Sequence, residues 1–141
     1  MAVDKLKALH TALVDTRAAY ELAAEKAESP AVISVCEQMV TLRQADHAEL
    51  HQALLAAGET PDENGSFMTT VHETVVSVRA AISGISEKTL PAFISGEEEI
   101  VKLYDEAAEE AGPNSRTTDV LARQRANLMS KIQDMKRLAP Q

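Results

Sequence analysis

Residues 20–36, YELAAEKAESPAVISVC, are the most informative part of the sequence about the fold. They contain an alanine-rich helical segment, then Ser29 and Pro30, and then a second segment with apolar residues at helical spacing. Ser29 is a natural N-cap residue and Pro30 suits the first position of a helix, so we expect a tight turn between the segments. The stretch therefore predicts a helical hairpin, which is two antiparallel helices joined directly.

Outward from this turn, apolar residues recur at spacings of three and four, as in helices with one buried face. The 5 glycines and 5 prolines mostly fall between these patterned segments. The predicted fold class is all-α, with one domain over residues 1–141. Long helices are predicted over about 4–28, 30–57, 89–111 and 115–138, and a shorter one over about 66–82.

The predicted core consists of one inward-facing stripe on each long helix. In chain order the stripes are Leu6, Leu9, Leu13, Thr16, Tyr20, Ala23 and Ala27; Val32, Cys36, Met39, Arg43, His47, Leu50 and Leu54; Leu90, Phe93, Glu97, Ile100, Tyr104 and Ala108; and Leu121, Gln124, Leu128, Met135 and Leu138.

The connection between the second and third long helices is long, and its first part, residues 59–65, is polar and rich in turn-forming residues. The following segment has an apolar stripe of Phe67, Val71, Val75, Val78 and Ile82. This layout predicts two helical hairpins joined by a crossover that contains a short fifth helix. The stripe either packs on its own bundle or forms a docking face for a partner or a second copy.

Composition argues against several classes of function. The 22 acidic residues outnumber 14 scattered basic ones, for a net charge of -8, so nucleic acid is not an expected partner. No stretch reaches the roughly 20 apolar residues of a membrane helix, and the first residues lack the layout of a signal peptide, so we expect a cytoplasmic protein without a membrane partner. The single cysteine, Cys36, is expected to be a buried apolar residue without a catalytic role.

A weak internal repeat supports the two-hairpin prediction. The segment from Tyr20 to Ala27 matches the segment from Tyr104 to Ala111. Further on, the sequence Leu-Arg-Gln at residues 42–44 matches Ala-Arg-Gln at residues 122–124 in the same order along the chain. The two hairpins are therefore interpreted as copies of one unit.

The duplicated hairpins, the long crossover and the Tyr-x-x-Ala-x-Glu-Lys-Ala end of the first helix resemble the ferritin-like superfamily, rubrerythrin included. The chain is most similar to a bacterial branch of ferritin-like four-helix bundles of unknown function. That likeness is carried by Asp15, Tyr20, Arg43, Leu50, the linker residues Gly58-Glu59-Thr60-Pro61, Gly96-Glu97-Glu98 and Tyr104.

Metal-bearing members of the superfamily carry, in each hairpin, one Glu on the first helix and a Glu-x-x-His on the second. The matching positions here are Leu13, Gln44-x-x-His47, Glu97 and Gln124-x-x-Asn127. Only His47 and Glu97 remain good ligands, because neutral amides are poor substitutes for carboxylates. The resemblance therefore implies a di-iron site that is largely lost, and no cofactor is expected.

The same positions predict a polar layer across an otherwise apolar core. Its members are Arg43, Gln44, His47, Glu97 and Gln124. We expect Arg43 or His47 to pair with Glu97, because burying such charges unpaired costs several kcal/mol. In this hypothesis cationic side chains replace the lost metal ions.

Two functions follow from this sequence. The first is a non-catalytic helical bundle that acts by self-association or by binding a protein partner. The alternative is a metal-binding enzyme or sensor that holds iron or zinc with His47 and Glu97, joined by His51 or Asp46; His47 and His51 are four residues apart and share a helical face. His10 and His72 have no such neighbour in the sequence.

Overall fold

The computed structural model describes residues 3–60 and 85–139. These two ranges contain four α-helices and no β-strand, which confirms the predicted all-α class. The helices are α1 (Asp4–Lys26), α2 (Pro30–Ala56), α3 (Leu90–Ala111) and α4 (Arg116–Leu138), and one 3-10 turn at Glu87–Thr89 precedes α3. The predicted short helix over about 66–82 lies outside the described residues.

The turns between helices follow from their capping residues. Ser29 is the N-cap of α2 and Pro30 opens it, and the Ser29 hydroxyl donates to Glu87 Oε1 at 2.6 Å. At the other hairpin, Gly112 ends α3 with φ +82, a left-handed conformation that glycine adopts without strain. Ser115 caps α4, and its Oγ accepts from the Thr118 amide at 3.0 Å.

Contacts along the helices give their directions. The Lys5 amide at the start of α1 donates to Glu110 Oε1 near the end of α3 at 2.9 Å, and Ser29 after α1 contacts Glu87 before α3. α1 and α3 are therefore antiparallel neighbours. α1 also packs on α2, and α4 packs on both α2 and α3, which makes a four-helix bundle.

Glu59 and Glu87 lie near opposite ends of α1. The Nζ of Lys7, near the start of α1, lies 3.4 Å from Oε2 of Glu59, which follows α2. The turn that leads into α3 contacts Ser29, beyond the end of α1. At about 1.5 Å of rise per residue, these two places are separated by roughly 30 Å along the bundle.

The core runs the length of the bundle. All seven residues of the predicted α1 stripe are buried, and no exposure among them exceeds 8%. The stripes of the other helices are also buried, except that His47, Ala108 and Leu138 are half-buried. Ala107 and Ile132 are core residues that the predicted stripes omitted. Within the described ranges, no helix has the length and apolar character needed to cross a membrane.

The middle of α1 is buried on every side. Six consecutive residues, from Leu9 to Val14, have exposures of at most 8%. Six successive residues of a helix point all the way around its axis, since a turn takes about 3.6 residues. The side of α1 that faces away from α2 and α3 is therefore covered as well.

Candidate functional site

The centre of the bundle holds an ion pair between Arg43 on α2 and Glu97 on α3, both completely buried. The Arg43 Nη2 donates to Glu97 Oε1, and the Arg43 Nε donates to Thr16 Oγ1 at 2.9 Å. The Thr16 hydroxyl donates in turn to the Ala12 carbonyl at 2.9 Å. Tyr20 donates to the second carboxylate oxygen, Glu97 Oε2, at 2.8 Å. Both oxygens of Glu97 therefore accept hydrogen bonds from the protein itself.

The ion pair and its neighbours stabilise one another's protonation states. Burial lowers the pKa of Arg43, but the Glu97 carboxylate, the hydrogen bond to it and the nearby Tyr104 and Tyr20 together outweigh burial, so the pKa of Arg43 is raised above its usual value. Burial, and then the negative charge of Glu97, raise the pKa of Tyr20 well above 10.0. Arg43 therefore stays charged and Tyr20 stays a hydrogen-bond donor at any ordinary pH.

A second polar cluster adjoins the first and is centred on Gln124 of α4. The Tyr104 hydroxyl donates to Gln124 Oε1 at 2.8 Å. The Gln124 amide donates to the Asp46 carbonyl oxygen at 3.2 Å and to Glu49 Oε1 at 2.8 Å. Glu49 also contacts Arg123 at the surface. This chain of bonds connects the buried tyrosine of α3 to the exposed rim of α2 and α4.

Asp46 adds a third carboxylate near those of Glu97 and Glu49, which are paired with Arg43 and Arg123. It is 3% exposed, and its Oδ2 has no hydrogen-bond partner in the described ranges. Burial raises the pKa of Asp46 from 3.8 to about 6, although the charge of Arg43 pulls it down. The ionised form of Asp46 is therefore destabilised in the folded protein.

The two clusters together form the core polar layer, which consists of Thr16, Tyr20, Arg43, Asp46, Glu97, Tyr104 and Gln124.

The sequence-based placement of Gln44 in this layer is wrong, because its side chain is exposed. The Arg-Gln pair that recurs in the two hairpins has exchanged faces: Arg43 is buried and Gln44 exposed in α2, whereas Arg123 is exposed and Gln124 buried in α4. Consecutive residues lie about 100° apart around a helix. A rotation of α4 by one residue relative to α2 therefore reverses which member of the pair faces the core.

His47 lies at the edge of the bundle rather than in its centre. It is half-buried, and its Nε2 is 3.3 Å from the Arg17 Nη1. Glu97, which the sequence paired with Arg43 or His47, is engaged by Arg43 and Tyr20. His47 and Glu97, the two metal ligands of the alternative hypothesis, therefore lie in different places. His47 is at the edge of the bundle, and Glu97 is in its centre.

His10 is a neighbour of His47 and His51 that the sequence interpretation missed. Its ring centroid lies 5.6 Å from that of His47 and 5.7 Å from that of His51. This contact could have been predicted from the number of residues that separate each histidine from the Ser29 turn. In an antiparallel hairpin, residues that are equally far along the chain from a tight turn face each other. Thr16 and Arg43, in direct contact, are nearly equally far from that turn, and so are His10 and His47.

No group of three or more His, Cys, Asp or Glu side chains in residues 3–60 and 85–139 is arranged as the ligands of a bound metal ion would be. In the core polar layer the reason is chemical. A guanidinium, two phenols and an amide surround Glu97 and Asp46, and none of these groups is a good ligand for a divalent ion. This layer is suited to holding four helices in register, because its hydrogen bonds link side chains from all four.

Cys36 should react slowly with thiol reagents. It is 0% exposed, and burial raises the pKa of its thiol to about 11 from 9.0. A rise of this size lowers the thiolate fraction at neutral pH by about 100-fold, and only the thiolate is nucleophilic. We expect iodoacetamide to modify the folded protein at least ~100-fold more slowly than the urea-unfolded chain. Equal rates in the two states, followed by mass spectrometry, would contradict the burial of this residue.

A family model described as a domain of unknown function (DUF2383) matches residues 1–110. The match spans α1, α2 and α3 up to its penultimate residue, so it includes the Arg43 and Glu97 pair. It ends before α4 and thus before Gln124. Neither a curated protein sequence nor a solved structure matches the chain.

Proposed function

This chain belongs to the family described as a domain of unknown function (DUF2383), and we propose that it is a non-catalytic helical bundle that associates with a second copy of itself. The observation that carries the non-catalytic part is the buried pair of Arg43 and Glu97. A guanidinium on the carboxylate repels a metal cation at that position, and Tyr20 takes the remaining carboxylate oxygen. The hydrogen-bond donors and acceptors of the core polar layer bond mainly to one another.

In this proposal the fold descends from a ferritin-like bundle in which Arg43 has replaced the metal charge. Support comes from the arrangement of two hairpins with antiparallel neighbours and from the polar layer between them. The alternative, an enzyme or sensor with iron or zinc at His47 and Glu97, has less support because Glu97 already neutralises Arg43.

The proposal includes a crossover along α1. Glu59 and Glu87 lie near opposite ends of α1, so a crossover between the two hairpins would run along the length of the bundle. The burial of Leu9 to Val14 on all sides supports a path over the outer face of α1. The apolar stripe from Phe67 to Ile82 would then be used within the bundle, which leaves another surface for association.

That other surface is the outer face of α2. A groove of about 640 Å³ runs along it, beside α4. The α2 residues that line the groove recur at spacings of three and four, the pattern with which one helix packs on another. The lining residues are Pro30, Ile33, Ser34, Glu37, Gln38, Thr41 and Leu42 of α2 and Lys131 of α4.

A second copy of the chain fits this groove by symmetry. In a twofold dimer with antiparallel α2 helices centred between Glu37 and Gln38, Ile33 of one copy faces Leu42 of the other. The same axis brings Glu37 of one copy beside Gln38 of the other. Gln38 accepts from Lys131 of its own copy at 2.6 Å, so Glu37 meets a cation across the interface. This pairing places apolar residues opposite each other and a carboxylate near a cation.

Sedimentation velocity ultracentrifugation tests the association. We expect the full chain to be dimeric at micromolar concentration and Leu42→Glu to weaken the dimer at least about tenfold, because a charge would be buried against an apolar partner. Leu42 is half-buried, so circular dichroism should show that the variant still folds.

The matched control is Leu55→Glu, since Leu55 is 47% exposed on α2 and lies outside the groove. This variant should dimerise as the unaltered chain does. A monomeric unaltered chain at high concentration, or a Leu42→Glu dimer of undiminished affinity, would disprove the proposed interface.

A further inference from the structure

Two polar atoms inside the core polar layer have no hydrogen-bond partner among the residues that the structure describes. They are the Nη1 of Arg43 and the Oδ2 of Asp46. Arg43 is 0% exposed and Asp46 is 3% exposed, so bulk solvent does not satisfy either atom. Buried polar atoms in folded proteins nearly always have a partner, and a charged group without one is especially costly. A ligand from outside the chain is therefore expected at these two atoms.

The two atoms belong to neighbouring side chains. Arg43 and Asp46 are three residues apart on α2, a spacing at which side chains lie side by side on a helix. Burial raises the pKa of Asp46 and the charge of Arg43 lowers it, as expected for two adjacent groups. Burial also raises the pKa of Tyr104, on which the charges of Arg43 and Asp46 then act in opposite directions. The Tyr104 hydroxyl is therefore close to both.

The other bonds of the Arg43 guanidinium prevent a direct contact with Asp46. The Nε donates to Thr16 on α1, and the Nη2 donates to Glu97 on α3. A guanidinium is planar and rigid, so these two bonds fix the direction in which the Nη1 hydrogens point. The Nη1 cannot turn toward Asp46 unless one of these bonds breaks, and the Asp46 carboxylate does not come within hydrogen-bond distance of it.

The chemistry of the two atoms defines the ligand that fits between them. The Nη1 can only donate a hydrogen bond, and the Oδ2 of an ionised carboxylate can only accept one. A metal cation cannot accept from Nη1 and is repelled by the guanidinium. A halide ion cannot donate to Oδ2 and is repelled by the carboxylates of Asp46 and Glu97. Water both accepts and donates, so it satisfies the two atoms together.

We propose that one ordered water molecule is bound in the core between Arg43 and Asp46. It accepts from Arg43 Nη1 and donates to Asp46 Oδ2. Its second hydrogen is donated to the Tyr104 hydroxyl oxygen, whose own hydrogen is donated to Gln124. A buried water typically makes about three such bonds. This inference goes beyond the proposed function and does not depend on it, because the groove on α2 includes none of these residues.

The bound water joins the two clusters of the core polar layer into one network. Arg43 connects the first cluster to α1 and α3 through Thr16 and Glu97. The second cluster connects Tyr104 of α3, Gln124 of α4 and the backbone of α2. A water between Arg43 and Asp46 links these bonds at α2, so all four helices contribute to a single hydrogen-bonded layer.

A high-resolution crystal structure of the full chain tests the site directly. We expect electron density for one water at about 2.7–3.2 Å from both Arg43 Nη1 and Asp46 Oδ2. A direct contact between the two side chains would overturn the proposal. So would an absence of density at this place, or density at hydrogen-bond distance from only one of the two atoms.

Oxygen-17 magnetic relaxation dispersion, which counts long-lived internal waters in solution, gives an independent readout. Asp46→Leu keeps the approximate shape of the side chain and removes its oxygens, so it should lower the count by one water. Asp46→Asn keeps a hydrogen-bonding group at this position and should leave the count unchanged. A count that does not fall in folded Asp46→Leu would contradict the proposal.

Asp105→Leu is the matched control for this measurement. The Asp105 side chain is 57% exposed and pairs with Arg125 at the surface, so the control should retain every internal water. Circular dichroism checks that each variant is folded. If Asp46→Leu does not fold, the crystal structure of the unaltered chain decides between the outcomes given above.

Discussion

Replacing Glu97 by alanine is expected to lower the free energy of unfolding by about 3–5 kcal/mol, the usual effect of breaking a buried ion pair. The substitution leaves the Arg43 guanidinium in the core without a counter-charge, and it removes the acceptor of the Tyr20 hydroxyl. Small domains have only about 5–15 kcal/mol of stability, so the variant should unfold at much lower urea concentration. Urea denaturation followed by circular dichroism measures the difference.

Glu98→Ala is the matched control for this experiment. Glu98 is the next residue along α3, its side chain is 55% exposed, and it makes a surface ion pair with Lys136 at 3.7 Å. Surface pairs contribute about 0–1 kcal/mol, so this variant should unfold almost as the unaltered chain does. Equal effects at the two positions would show that the buried pair contributes no more than a surface one.

A double variant separates the charge of the pair from its shape. Arg43→Met with Glu97→Leu removes both charges and keeps apolar volume, and such replacements are often neutral or stabilising. We expect it to recover most of the stability that Glu97→Ala loses. If the double variant is as unstable as the single one, hydrogen bonds to Thr16 and Tyr20 hold the layer, and the ion pair is secondary.

Replacing Asp46 by asparagine is expected to stabilise the protein by about 3 kcal/mol above neutral pH and to have little effect below pH 4. Asp46 is buried, and burial raises its pKa from 3.8 to about 6. The folded state therefore binds the proton more tightly than the unfolded state does. This contribution is complete at pH values below the unfolded pKa of 3.8 and is lost as the pH rises through about 6.

The measurement is the urea midpoint as a function of pH for the variant and the unaltered chain. The difference between the two should grow between about pH 4 and pH 6 and then level off. Asp105→Asn is the control, because Asp105 is 57% exposed and pairs with Arg125 at 2.8 Å at the surface. A constant effect of Asp46→Asn across this range would show that the carboxyl titrates normally in the folded protein.

The sequence interpretation succeeded where a residue's position depends on its own helix. The apolar spacing on each side of the Ser29 turn indicated which face of α1 and α2 is inward, and it placed Arg43 on the inward stripe. A residue's position could not be predicted where it depends on how two helices rotate against each other. Gln44 was assigned to the core because it occupies the Glu position of the Glu-x-x-His motif in the family that the chain resembles, as Gln124 does in α4. A repeat in sequence does not require both copies to rotate equally about their axes.

Asp46 and His10 show the same limit. Asp46 is three residues from Arg43 and so lies on nearly the same face, yet the sequence suggested it only as a possible metal ligand beside His47 and Glu97. Only the packing of α4 against α2, with Gln124 bonded to the Asp46 carbonyl, encloses it. His10 had no neighbour at helical spacing in its own helix, and the ring contacts it makes come from α2.

Local sequence patterns were sufficient to predict an all-α chain, a tight turn between α1 and α2, and charged residues within an apolar core. These features depend on spacing and capping over a few residues, which are local properties of a chain. The packing of the helices against one another determines that Arg43 and Tyr20 bind Glu97, and that three histidines meet between α1 and α2. Such partnerships depend on the rotation of one helix against another, and a turn of about 100° exchanges a core residue for a surface one.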